Sequence, residues 1–284
     1  MKILILGVTG YVGRKVSDRL VSLGYQILGL SRTNICIPGI DMFLAEDYER
    51  VFQEHPDLAC IINLSGVYEK PGISLEDILE GNLYYPLRVM LHFKETKVRK
   101  IINIATSLPE NLNLYTVSKK KLSEFGQWMT ESDTEGSLTF FNVLLENYYG
   151  EQEPENRFLS YVTRSLMDNQ DIDMTTGEQH RDFIYISDVV DGIIRLIENQ
   201  QPAGYADVSL GTGEAPSIRE IVEYLRDISH STSTIHFGAI PKRKHEPDSV
   251  ADRENMNRFG IVPAFSWKEG MKKLVEYRRE HREK

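Results

Sequence analysis

Residues 2–6 form a short apolar run that leads straight into Gly7-Val8-Thr9-Gly10-Tyr11-Val12-Gly13, and a helical spacing of Val16, Leu20 and Leu23 follows. Few folds accommodate a strand that stops at a glycine turn and restarts at once as a helix. Glycines permit the tight turn and let backbone amides approach a pyrophosphate at the positive helix end. The placement between strand and helix carries the signal, more than the glycines themselves. Gly7, Thr9, Gly10, Tyr11, Val12 and Gly13 are therefore the first candidates for binding a dinucleotide cofactor. Their spacing is Gly-x-x-Gly-x-x-Gly, which differs from the Gly-x-Gly-x-x-Gly fingerprint and points to a particular branch of dinucleotide binders.

Strand-like and helix-like segments keep alternating after this turn: strands at 26–30, 42–44, 59–63 and 100–104, a helix near 48–54 and a long helix near 75–94. Repeated βα units imply a parallel sheet with helices on both faces. The expected fold class is thus α/β, a Rossmann-type doubly wound parallel sheet. Right-handed crossovers line up the carboxyl ends of the strands, where open α/β sheets bind ligands. The glycine turn, Ser31-Arg32, Leu64-Ser65-Gly66 and Thr106-Ser107 fall along that edge. An NAD-specific chain would usually place an acid after the second strand to grip the ribose 2′-hydroxyl. Here Arg32 can instead pair with a 2′-phosphate, helped by Ser31, so NADP (NADPH) is expected over NAD.

Tyr115-Thr116-Val117-Ser118-Lys119 comes shortly after the apolar run 101–105. In a helix, residues four apart are neighbours, so the phenol and the ammonium share a face. A free tyrosine is only about 0.1% ionised at pH 7, and a cation held nearby eases proton transfer in either direction. Tyr115 and Lys119, with the hydroxyls of Thr106 and Ser107, form the candidate catalytic group.

After Gly150 the charged, proline-bearing stretch 151–155 reads as a linker. A helix near 158–167, a short strand, the segment Arg181-Asp182-Phe183-Ile184-Tyr185 and a helix from about Asp188 to Glu198 come next. Arg181 is the first candidate for a substrate diphosphate, since guanidinium and phosphate meet in a planar fork. An ion pair with Asp182 or Asp188 is the plainer reading of that arginine. Arg243, in the basic run 241–245, is a second candidate, with a solvated loop as its alternative. His180 and His245 lack partners at metal-ligand spacing, so no metal site is expected. The formal net charge of −9 argues against nucleic-acid or anionic-membrane surfaces. Two cysteines, Cys36 and Cys60, give no disulfide framework, and no apolar stretch approaches a membrane span. The opening apolar run is also short for a secretion signal, so a cytoplasmic location is expected.

The glycine motif, Asn82 in the long helix, the hydroxyl pair, Tyr115-x-x-x-Lys119, Asn147-Tyr148-Tyr149-Gly150 and Arg181–Tyr185 together resemble the extended short-chain dehydrogenase/reductases that act on nucleotide sugars. Within that group Thr106-Ser107-Leu108-Pro109, Leu145-Glu146 and Thr176-Gly177-Glu178-Gln179-His180-Arg181-Asp182-Phe183 look closest to the CDP-abequose synthases, which reduce a CDP-4-keto-6-deoxy sugar. The resemblance implies a dinucleotide-binding domain over 1–147, returning near 181–205, and a smaller C-terminal α/β substrate domain mainly over 148–284. It also implies Asn82 and Leu64–Gly66 near the cofactor, Asn147 near the nucleoside-diphosphate sugar, and a homodimer formed through the helices near 75–94 and 115–130. Dehydratases of the family carry Thr-Asp-Glu after the fifth strand; Thr106-Ser107-Leu108 has neither acid. The expected activity is NADPH-dependent reduction of a CDP- or dTDP-linked 4-keto-6-deoxyhexose. A 4-epimerase with tightly held NAD is the alternative, and an inactive NADP-binding sensor or scaffold is a third reading.

Overall fold

A computed structural model describes residues 1–242 and 247–281. In chain order the first half contains β1 (Lys2–Leu6), α1 (Tyr11–Ser22), β2 (Gln26–Ser31), β3 (Ile40–Leu44), α2 (Tyr48–Glu54), β4 (Leu58–Asn63), α3 (Leu75–Leu79), α4 (Tyr85–Leu91), β5 (Lys100–Ile104), α5 (Leu114–Glu131) and β6 (Thr139–Leu145). The second half contains β7 (Asn147–Tyr149), α6 (Phe158–Met167), β8 (Ile172–Met174), β9 (Phe183–Tyr185), α7 (Ile186–Glu198), β10 (Gly204–Leu210), α8 (Ile218–Ser229), β11 (Ile235–Phe237), α9 (Arg253–Arg258) and α10 (Trp267–Glu280). Two compact units divide the chain, Met1–Leu145 with Val190–Val208 and Glu146–Val189 with Ser209–Lys284.

The first unit is built on a seven-stranded sheet ordered β10-β6-β5-β4-β1-β2-β3. Pairing is parallel from β3 to β6, and β10 continues it, since Leu138 and Glu146 meet Gly204 and Leu210 in the same direction. Strands such as β1 and β5 are buried at every position after the first, which explains why they read as unbroken apolar runs. Strand order reverses between β1 and β4, so the carboxyl ends of these two strands open the crevice typical of doubly wound sheets. The Rossmann-type parallel sheet flanked by helices is the fold the sequence predicts.

The sequence expects one long helix over 75–94, and the structure breaks it. A π-helical turn over Glu80–Tyr84 separates α3 from α4, and a 3-10 turn over His92–Glu95 ends the segment. Pro86 explains the break, because it has no N–H to give the carbonyl four residues earlier and its ring crowds that position.

In the second unit β7 pairs with β9 and β8 with β11, each in parallel, and α6 and α10 pack against α8. Serine capping boxes start α8 at Ser217 and α10 at Ser266. The stretch 151–155 is more than a linker. Glu153 is buried, its carboxylate 2.6 Å from Arg157 Nε and accepting from Ser160 Oγ at 2.9 Å. Burial pushes its pKa up against the opposing pull of Arg157. Glu155 receives Arg164 and Arg278.

Candidate active site

The glycine turn packs as tightly as its spacing predicts. Gly7 has φ +77°, and a Cβ added there would lie 2.7 Å from the Leu64 carbonyl carbon. At Gly13 an added Cβ would lie 2.2 Å from the Gly7 oxygen, so only glycine lets α1 start this close to the turn. Leu64 N–H donates to Leu6 O at 2.9 Å, tying the β4 end to the β1 end. Thr9 and Gly10 are exposed, Tyr11 is half-buried, and Val12 points inward. Helix α1 has no side-chain cap and no acid in its first turn. Its uncapped, positive end therefore fits the pyrophosphate of a dinucleotide. At the end of β2, Ser31 is buried and its Oγ accepts from Thr33 N–H at 3.2 Å, while Arg32 is exposed. Beyond it a cavity of about 200 Å³ is lined by Thr33, Met42, Phe43, Leu44, Asp47 and Arg50 among others.

Asn82 changes role. It is 0% exposed, and its side chain accepts from Val67 N–H at 2.7 Å and donates to Val67 O at 2.9 Å and Ser118 Oγ at 3.1 Å. Both amide hydrogens are spent on Val67 and Ser118, so Asn82 braces the β4 loop at Val67. Gly81 makes this possible, since a Cβ there would lie 2.4 Å from Val67 Cγ2.

Tyr115 and Lys119 lie on α5, whose start is set by an Asn113–Thr116 capping box. Tyr115 is 9% exposed, and its ring stacks on that of Tyr68 with centroids 4.4 Å apart. Lys119 is 2% exposed, and its ammonium donates to Ser65 O at 2.9 Å. Burial pulls its pKa down to about 8, so the proton on Lys119 is held loosely near neutral pH. Thr106, buried just past β5, accepts from Leu108 N–H at 3.2 Å, which leaves its own hydroxyl hydrogen to donate. Ser107 is half-buried beside it.

Behind these groups runs a ladder that sequence reasoning missed. Asn63, Asn103 and Asn142 occupy matching register positions on β4, β5 and β6. Asn63 donates to Asn103 at 2.8 Å, Asn103 to Asn142 at 3.0 Å, and Asn142 to Asp207 at 2.7 Å. At the other end Asn63 Oδ1 receives Ser65 N–H at 3.1 Å and the Ser65 hydroxyl, so the carbonyl that holds Lys119 sits on a fixed residue. The available signal was one asparagine in each of three largely apolar strands.

In the second unit a cavity of about 450 Å³ is lined by Asn147, Tyr148, Phe158, Met174, Gln179 and Arg181 among others. Asn147 Nδ2 donates to Asp182 O at 3.2 Å, and Arg157 lies over the Tyr148 ring with its guanidinium carbon 4.0 Å from the centroid. Asp182 is fully buried, and its carboxylate accepts from Thr212 N–H, Thr212 Oγ, Gly213 N–H and Ala251 N–H. Those partners account for the burial of the acid that follows Arg181. The aromatic and sulfur-bearing wall of this cavity was not legible in the sequence, because its members are far apart in the chain. Arg243 lies outside the described residues. No group of three potential metal ligands and no helix long and apolar enough to cross a membrane occurs among the described residues.

A parallel sheet with a glycine turn at its reversal point, and a Tyr-x-x-x-Lys helix over the β4 loop, define a nucleotide-cofactor oxidoreductase. A profile of the NAD dependent epimerase/dehydratase family matches residues 3–211, and the chain belongs to that family. It is an NAD(P)-dependent enzyme of the extended short-chain dehydrogenase/reductase class that modifies nucleotide sugars. CDP-abequose synthase of Salmonella muenchen is 28% identical over 285 residues, covering 96% of this chain and 97% of the relative. The Salmonella typhimurium enzyme of the same name is 26% identical over 293 residues, with the same coverage of 96% and 97%. Among solved structures, UDP-glucuronic acid 4-epimerase from Bacillus cereus, in complex with UDP-glucuronic acid and NAD, has a TM-score of 0.85 at 18% identity and covers 99% of this chain and 100% of that one.

Proposed function

We propose that the chain reduces the 4-keto group of a CDP- or dTDP-linked 4-keto-6-deoxyhexose with NADPH. The observation that carries this reading is the pair of hydroxyls at 106 and 107 just past β5, with no carboxylate at 106–108. Elimination of water needs acids there, whereas reduction needs only a proton donor and a hydrogen bond for the developing alkoxide. The two relatives named CDP-abequose synthase support the same direction.

NADPH supplies a hydride to C4 when bound. Tyr115 gives its phenolic proton to the oxygen at C4, and Thr106, or Ser107 beside it, donates a hydrogen bond to that oxygen. Lys119, fixed by Ser65 O, holds the nicotinamide ribose and favours the tyrosinate left behind. Gly7–Gly13 and the α1 amides hold the pyrophosphate, Ser31 and Arg32 the 2′-phosphate, and the Met42–Leu44 wall the adenine. Asn147 and Arg181 serve the nucleoside diphosphate, with Arg243 a further candidate. Tyr84, Leu91, Phe125 and Trp128 are exposed on the π turn, α4 and α5, and we assign this apolar face to a homodimer. A cytoplasmic enzyme fits two free cysteines, one of them exposed.

Mixing purified protein with NADPH and CDP-4-keto-6-deoxyglucose, then with the dTDP-sugar, and following the absorbance of reduced nicotinamide tests the reading. Consumption of NADPH is expected, faster than of NADH, with that preference lost in Arg32→Ala. Tyr115→Phe should lose turnover by about 100-fold or more while NADPH binding is kept. Bound NADPH without consumption of either sugar would favour the inactive sensor. The named 4-epimerase neighbours keep a second reading in view. Co-purified NAD with interconversion of UDP-hexoses and no net oxidation would establish it.

A further inference from the structure

Tyr68 lies in the β4–α3 loop, outside the glycine turn and the Tyr115–Lys119 segment. Its side chain is 53% exposed, yet its ring stacks on Tyr115 at a 22° interplanar angle. The Tyr115 hydroxyl donates to the Tyr68 hydroxyl at 3.4 Å. The loop that carries it is pinned on both sides. Asn82 holds Val67 by its N–H and its carbonyl, and Glu69 accepts from Leu114 N–H at 2.9 Å at the first turn of α5. The second phenol is therefore presented to the first by neighbours tied to the same helix, with one face left to solvent.

We propose that Tyr68 is a positioning residue for Tyr115, accepting its hydrogen bond at rest and turning its own hydroxyl to donate once Tyr115 has given up its proton. A hydroxyl can do both, since it carries one donor and two lone pairs. The Tyr68 proton stays on Tyr68 throughout, so no further acid or base is required. This rests on the reading of Tyr115 as the proton donor. The exchange matters because the tyrosinate is the costly species of the cycle, and a hydrogen bond made to the charged form favours it. Lys119, held by Ser65 O at 2.9 Å, meets the same need with its charge. Of the other charged groups on the packed elements, Glu69 is occupied by Leu114 N–H, Glu110 and Glu124 pair with Lys121 at 3.3 and 2.7 Å, Asp77 closes the Ser74 capping box, and Lys70, Glu76 and Lys120 complete the set on this loop, α3 and the first turns of α5.

The test is a titration that does not need turnover. Tyrosines labelled with carbon-13 at Cζ report ionisation by NMR, and Tyr115→Phe identifies the Tyr115 signal among the 14 tyrosines. Tyr68→Phe keeps the stack and removes the hydroxyl. Its Tyr115 signal should titrate about one pH unit higher than in the unsubstituted protein, with an unchanged melting temperature. Tyr68→Leu should give the same upward shift. With a turned-over 4-keto sugar, loss of NADPH oxidation at high pH should also move upward by about one unit in Tyr68→Phe, because the phenol is the active form in reduction. An unmoved Tyr115 titration in Tyr68→Phe overturns the proposal, as does a shift seen in Tyr68→Leu alone, which would assign the effect to the ring. A shifted titration without turnover of any keto sugar by the unsubstituted protein would instead sink the reductase reading and leave the role of Tyr68 standing.

Discussion

Lys119 is held by one carbonyl at 2.9 Å and is 2% exposed, a poor exchange for the water its ammonium gives up. Its pKa falls from 10.5 to about 8, so between those values the unfolded chain binds more protons than the folded one. The cost of burying the charge is therefore complete below about pH 8 and fades as pH rises toward 10.5. Lys119→Met should therefore stabilise the cofactor-free protein at pH 7 by about 3 kcal/mol, the equivalent of that pKa difference, while abolishing activity. Urea unfolding of both proteins at pH 7 and pH 10.5 checks this; an equal difference at the two values would show that burial of the charge is not the cause. The tyrosine and lysine were legible from their spacing alone. Tyr68 was not, because nothing in residues 64–69 reveals which side chain folds back over a helix that begins 45 residues later.

At the scale of elements, the broken helix over 75–95 decides how the β4 loop is held. The π turn brings Asn82 opposite Val67 and Ser118, and Gly81 lets that loop approach. Single π turns inside helices are frequent at functional sites, and here the turn serves the loop that carries Ser65 and Tyr68. Asn82→Ala would leave the N–H and carbonyl of Val67 without their side-chain partner. A polar group stranded in full burial costs about 1–3 kcal/mol, and Val67 is half-buried, so a loss of about 2 kcal/mol is expected, together with weaker NADPH binding. Urea unfolding and fluorescence titration measure the two effects. Retained stability with weakened binding would mean instead that Asn82 meets the cofactor directly. A helix near 75–94 was legible from its period, but its break was not, because helical period does not report which carbonyl Pro86 leaves unpaired.

For the whole molecule, the outward apolar side chains of the first unit set the expected assembly. Phe125 and Trp128 lie one turn apart on α5, and Tyr84 and Leu91 lie on the neighbouring segment. A large exposed aromatic at the centre of such a face is where an interface concentrates its energy. The chain should sediment as a dimer, and Phe125→Glu with Trp128→Glu should yield monomers that still bind NADPH. A dimer that persists in the double variant would place the interface elsewhere.

The sequence by itself determined the α/β class, the glycine turn, the strand edge that gathers Ser31-Arg32, Leu64–Gly66 and Thr106-Ser107, and the tyrosine–lysine pair. All of these rest on local spacing: a period of 3.6 or an apolar run, and a glycine where a Cβ would collide. Only the tertiary structure decided that Asn82 is a brace, that Asp182 binds backbone amides, and that three strand asparagines form one ladder behind Ser65. It also set Tyr68 on Tyr115. Each depends on which distant segments the strand order makes neighbours, and hydrogen bonds across that distance leave no period in the chain for a reader to detect.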